Sequence, residues 1–160
     1  MSISKKLLVV FGLVVLSGVL LFGRLSGKKD NTTDSSSEGG KSALVYKSPT
    51  CGCCVGFTGF LRKDDYEVEV EETTDMDSIK KEHNIPSSMQ SCHTSMIGDY
   101  FVEGHVPLEA IDKLLAEKPD LDGIALPGMP AGSPGMPGLK TGDFIIYGIK
   151  DGQVSEFMRI

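Results

Sequence analysis

An α/β domain is what this 160-residue sequence predicts, on three observations: a short apolar run, ALVY, that ends in a cysteine-rich turn; a segment of helical apolar spacing after the turn; and the alternating stretch YEVEVEE beyond it. ALVY, residues 43–46, has the length and continuity of a buried central strand. In VGFTGFLRKD, Phe57, Phe60 and Leu61 share one helical face. Tyr66, Val68 and Val70 alternate with Glu67, Glu69 and Glu71, the period of a strand whose glutamate face is wet.

The next elements follow the same logic. DMDSIKKEHN, residues 75–84, reads as a short helix with Met76 and Ile79 inward and Pro86 just beyond its end. HTSMI and YFVEG flank Gly98-Asp99, a two-residue connection with glycine first, as a type II′ hairpin prefers. VPLEAIDKLLAEKP, residues 106–119, is a helix with Leu108, Ile111 and Leu115 as its apolar stripe. The order is βαβαββα, and with a right-handed crossover joining parallel strands it is the ordering of a thioredoxin-like domain. Two segments fall outside that plan. LPGMPAGSPGMPG, residues 126–138, is too rich in Gly and Pro for helix or strand, and FIIYGI and QVSEFMRI around Asp151-Gly152 read as a C-terminal β-hairpin.

Ahead of the domain, LLVVFGLVVLSGVLLFG at residues 7–23 carries no charge. At about 1.5 Å per residue it crosses most of a ~30 Å hydrocarbon core as one hydrophobic helix. Residues 1–27 are read as a signal-anchor in preference to a cleaved signal peptide, because GRLSG fits a cleavage site poorly. Residues 28–41 are read as a flexible linker, since NTTDSSSEGG has almost nothing apolar to bury, and 42–160 as the metal-binding domain. The Lys-Lys, apolar, Ser-rich order puts that domain outside the cytoplasm, tethered in the cell envelope. From residue 41 onward 19 acidic side chains stand against 11 basic ones, which argues against nucleic acid and leaves small cations or other proteins as partners.

CGCC, residues 51–54, and Cys92 hold all four cysteines. In the thioredoxin plan the loop after the first strand carries Cys-x-x-Cys at a helix N-terminus, where free N–H groups and the helix dipole favour thiolates. Cys51 and Cys54 have that spacing, which suits a thiol-disulfide oxidoreductase, and an even cysteine count outside the cytoplasm also suits structural disulfides. Cys53 departs from both. A third sulfur crowds negative charge beside a redox pair, and a soft cation relieves that cost. Cys92 lies in SCHT, just before the third strand, where this plan brings a loop, normally carrying a cis-proline, against the helix N-terminus.

The adjacent side chains of Cys53 and Cys54 are not expected to reach one centre, which disfavours a single tetrahedral zinc and favours bridging sulfurs with more than one ion. Cu(I), soft and tolerant of low coordination, therefore ranks above zinc. His105 in GHVP, and Met129 and Met136 seven residues apart in the Gly-Pro loop, are the further candidate ligands. His93 is expected to face away from Cys92, and His83 to be solvated.

VYKSPTCGCC, SCHT, VEGHVP and LPGMPAGSPGM, in that order from Ala43 to Met136, together resemble the domain-of-unknown-function family numbered 411, with its CopG-like copper resistance proteins of the bacterial envelope. The resemblance implies a thioredoxin-like fold, copper held by Cys51, Cys53, Cys54 and Cys92, a role in copper tolerance, and other envelope copper-handling proteins as partners. Whether the site also moves electrons, and so makes the protein an enzyme, is left open by these residues.

Overall fold

The computed structural model describes residues 40–160; the apolar run at 7–23 and nearly all of the linker lie outside the described residues. Among the described residues no helix is long and apolar enough to cross a membrane. The elements are β1 (Ser42–Lys47), α1 (Gly52–Lys63), β2 (Glu67–Glu72), α2 (Met76–Glu82), β3 (His93–Ile97), β4 (Tyr100–Glu103), α3 (Leu108–Glu117), β5 (Gly123–Ala125), β6 (Ile145–Lys150) and β7 (Gln153–Arg159). The result is a mixed α/β domain with one seven-stranded sheet in the order β2-β1-β3-β4-β5-β6-β7. β2 runs parallel to β1, while β3 is antiparallel to β1 and β4 to β3.

The expected βαβαββα order is present, with one addition. The C-terminal hairpin, expected outside the main plan, joins the same sheet through β5, which pairs parallel with β4 and antiparallel with β6. Three residues beginning with glycine carry no strand signal by themselves, and β5 exists because both neighbours saturate its backbone. The turns obey their sequences: Gly98 has φ +60°, and Asp151 and Gly152 have φ +49° and +74°, the left-handed pair a type I′ turn needs.

Side-chain alternation along the strands divides the core in two. Val45, Val102, Ile124 and Ile146 face one way and pack with Phe57 and Leu61 of α1 and Ala110, Ile111 and Leu114 of α3. Phe101, Ala125 and Ile149 face the other way and pack with Ile85, Met89 and Met96. β2 is an edge strand whose four glutamates are exposed while Val68 and Val70 are half-buried. Charge along such an edge discourages pairing with other chains.

α2 corrects one expectation. Asp75 caps it by accepting from the Ser78 N–H at 3.1 Å, as a short polar N-cap should. Met76 and Ile79, however, are only half-buried, and the side chain driven into the protein is Lys80. Residues 76, 79 and 80 stand at i, i+3 and i+4, so the lysine shares the inward face.

Candidate metal centre

The site forms where β1 ends and α1 begins. Cys51 N donates to Ser48 O at 3.0 Å, closing a tight turn, and Cys51 becomes the N-cap of α1 without a side-chain cap. No acidic residue occupies the first turn. The partial positive charge of the helix end is thereby left to the sulfurs of Cys53 and Cys54.

Cys92 reaches that point because of register. β3 is antiparallel to β1 with His93 opposite Lys47, the last residue of β1, so the residue just before β3 lies beside the β1–α1 turn. Cys51 and Cys54 form a disulfide with their Cα atoms 5.5 Å apart, the helical i, i+3 reach, and Cys53 and Cys92 are free thiols. Cys92 Sγ is 3.6 Å from Cys53 Sγ and 3.6 Å from Cys54 Sγ, and Cys51 Sγ is 3.5 Å from Cys53 Sγ. All four sulfurs lie within 4.8 Å of one another.

This convergence overturns the expectation that adjacent Cys53 and Cys54 cannot serve one centre. Consecutive helical side chains diverge by about 100° around the axis, and Cys92 sits between the two. Four ligands at about 2.3 Å in a tetrahedron are about 3.8 Å apart, close to the Cys51–Cys53, Cys53–Cys92 and Cys54–Cys92 spacings, so once the Cys51–Cys54 bond is opened these three spacings suit a single ion as well as bridged ones. Geometry therefore no longer sets one metal apart here, and the softness of the sulfur donors is what favours a soft ion.

His105 follows β4 and is fully buried. Its Nδ1 lies 2.7 Å from Pro134 O, and since a carbonyl only accepts, Nδ1 carries the proton. Nε2 is then an unprotonated nitrogen 3.3 Å from Cys92 Sγ, the form in which imidazole binds metals. His93 also joins the cluster, contrary to expectation: its Nδ1 is 3.4 Å from Cys92 Sγ, and Cys92, His93 and His105 form a second group of ligand atoms within 4.8 Å. Cys92 precedes the first ladder pair of β3, so strand alternation does not govern the Cys92-His93 step. Phe57 packs against both imidazoles, at ring separations of 4.5 Å to His93 and 5.7 Å to His105. His83, expected to be solvated, is half-buried near Phe101.

Burial sets the acidities. It pushes the Cys92 thiol up to about 12, the neighbouring Cys53 thiol acting in the same direction. It drives His93 down to about 3, reinforced by His105 and Lys80, and holds His105 below the ordinary histidine range. Both imidazoles are therefore neutral donors near neutrality, and Cys92 is held as the thiol, whose proton a bound cation would displace.

The Gly-Pro loop forms turns only, and it is docked on α1 by glycine against glycine. A Cβ on Gly56 would lie 2.6 Å from Gly135 O, and Gly135 itself has φ +78°. Met136, beside Gly135, is half-buried on this docked segment, whereas Met129 is 39% exposed in left-handed backbone. The structure thus gathers the four cysteines with His105 and His93, and leaves Met129 facing solvent.

Residues 89–136, which include Cys92, His93, His105 and most of the loop, match the family described as a protein of unknown function, DUF411. Among solved structures the chain is similar to two forms of copper resistance protein CopG, forms 2 and 1. Each is 38% identical with a TM-score of 0.70, over 76% of this chain and 99% or 98% of the other. No curated protein matches the chain.

Proposed function

The chain belongs to the DUF411/CopG-like family, and from that premise we propose that it is an envelope-tethered copper-binding protein that captures Cu(I) through Cys51, Cys53, Cys54 and Cys92, with His105 as a nitrogen donor, and contributes to copper resistance. The observation that carries the reading is the gathering of four sulfurs within 4.8 Å at an uncapped helix N-terminus. The copper resistance proteins matched over nearly their whole length support the choice of metal. A thioredoxin-like assignment of the fold is supported by the parallel β1–β2 unit and antiparallel β3 and β4 around α1. Placement outside the cytoplasm, and the anchor, rest on the order of residues 1–40.

Chemically, soft thiolates hold Cu(I) and exchange it between sulfurs by passing through low coordination numbers. With the Cys51–Cys54 bond closed, only Cys53 and Cys92 are thiols. Opening that bond takes two electrons and yields two more thiolates, so copper capacity is tied to redox state. Met136, on the loop docked against α1, is a candidate thioether neighbour, and Met129 is a weaker one because of its exposure.

The test is an anaerobic Cu(I) titration of the full chain, reduced or left oxidised, followed by removal of loose metal and a count of copper per protein. At least one tightly held ion in the reduced form, with weaker retention in the oxidised form, is expected; less than one ion in the reduced form overturns the reading. The disulfide favours a second reading, a thiol-disulfide oxidoreductase working through Cys51 and Cys54. Insulin reduction that survives Cys53→Ser marks that case, whereas a copper site weakens sharply on losing the middle sulfur.

A further inference from the structure

Two charged side chains sit where the sequence pattern calls for apolar ones. Glu103, the last residue of β4, is fully buried, and Lys80 of α2 is 4% exposed. Glu103 Oε1 accepts from Lys80 Nζ and from the backbone N–H of Ser91, each at 2.5 Å, and Oε2 accepts from the Thr94 hydroxyl at 2.6 Å. Lys80 Nζ donates also to Thr94 Oγ1 at 3.2 Å, so the hydroxyl gives its one proton to the carboxylate and offers a lone pair to the ammonium. The three side-chain bonds among Lys80, Thr94 and Glu103 are buried, and the Ser91 bond is part-buried.

What the network grips is the segment carrying Cys92. Ser91 and Thr94 bracket Cys92 and His93. On the C-terminal side the strand ladder already holds the chain, with Thr94 paired to Glu103 and Gly104 N donating to His93 O at 3.1 Å. On the N-terminal side residues 83–92 belong to no helix or strand, and the Ser91 N–H bond to Glu103 supplies what a ladder would. Gly104 lets the two segments approach: its φ is +78°, and a Cβ there would lie 2.8 Å from Ser91 Cβ.

We propose that the buried Lys80–Glu103 pair is a positioning device for the Cys92 thiol, holding its sulfur in contact with Cys53 and Cys54. The inference rests on the reading of Cys92 as a copper ligand. A buried ion pair is no more stabilising than apolar residues of similar volume, so stability alone does not account for it. What apolar side chains lack is a set of directed acceptors at set points along residues 91–94, the kind of outer support that metal ligands depend on.

The full chain is prepared with Lys80→Met/Glu103→Leu, which removes both charges at similar volume, and, should that variant not fold, with Thr94→Val, which removes the hydroxyl's two bonds, to Glu103 and to Lys80. Three quantities are read: thermal unfolding, Cu(I) affinity of the reduced protein by chelator competition, and the alkylation rate of Cys92 in the metal-free oxidised protein, resolved from Cys53 by peptide mass mapping. A folded variant with Cys92 alkylated faster and Cu(I) affinity lowered about 10–100-fold is expected, with the affinity loss vanishing in a Cys92→Ser background because the two changes act on one ligand. Unchanged affinity and alkylation in a folded variant overturn the inference, as does an affinity loss that persists undiminished in the Cys92→Ser background. If Cys92→Ser alone leaves affinity untouched, it is the copper reading of Cys92 that fails, and the alkylation rate still decides the positioning role.

Discussion

His93 should make this domain acid-labile, and the size of the effect follows from its surroundings. The side chain is fully buried, its Nε2 has no partner among the described residues, and burial holds its pKa down at about 3. In an unfolded chain a histidine titrates near 6.5. The folded pKa is the lower of the two, so between these values the unfolded chain binds the extra proton. Stability present above about pH 6.5 is therefore lost progressively as pH falls toward 3. At about 1.4 kcal/mol per pKa unit, the loss is about 2 kcal/mol between pH 7 and pH 5 and reaches about 4 kcal/mol at pH 3. Urea unfolding of the metal-free oxidised protein at pH 7, 6 and 5 measures it, with His93→Gln as the comparison. The variant should lose about 2 kcal/mol less than the parent over that interval. His105, also lowered by burial, works in the same direction and is present in both proteins, so the difference reports His93 together with its coupling to His105. Parallel acid slopes in the two proteins would refute the reasoning and place the proton uptake elsewhere.

Two further expectations concern what supports the site. Phe57 is fully buried and packs on both imidazoles, so Phe57→Ala should cost about 3–5 kcal/mol; a chemical-denaturation loss under about 1 kcal/mol would mean the pocket collapses around the gap. Gly135→Ala combines φ +78° with a Cβ driven into the backbone of Gly56 and Phe57, and should lift the loop from α1. Burial is the main cause of the low His105 pKa, so proton NMR of the variant should show His105 titrating closer to the ordinary histidine value. An unmoved titration, with the loop as protease-resistant as before, would show that the contact yields elsewhere.

Much of this molecule was readable because its determinants are local. The alternation of Val68 and Val70 with glutamates, the stripe of Leu108, Ile111 and Leu115, and the Gly98-Asp99 and Asp151-Gly152 turns each state their conformation within a few residues, and each element stands where expected. The Cys51/Cys54 spacing is local in the same sense, since three residues of helix fix the distance between the two sulfurs.

What escaped was decided by partners distant in sequence. β5 is a strand only because β4 and β6 offer hydrogen bonds on both sides. His93 turns toward Cys92 because regular alternation begins one residue too late to separate them, and Phe57 of another element closes over it. Lys80 and Glu103 look misplaced one at a time, and only their meeting across 23 residues makes burial of either affordable. By itself the sequence determined which cysteines could bind a soft metal and most of the stretches that would be helix or strand. Tertiary structure alone decided that Cys53 and Cys54 point at the same sulfur, because the direction of a side chain in space depends on where the antiparallel register of β3 on β1 delivers Cys92.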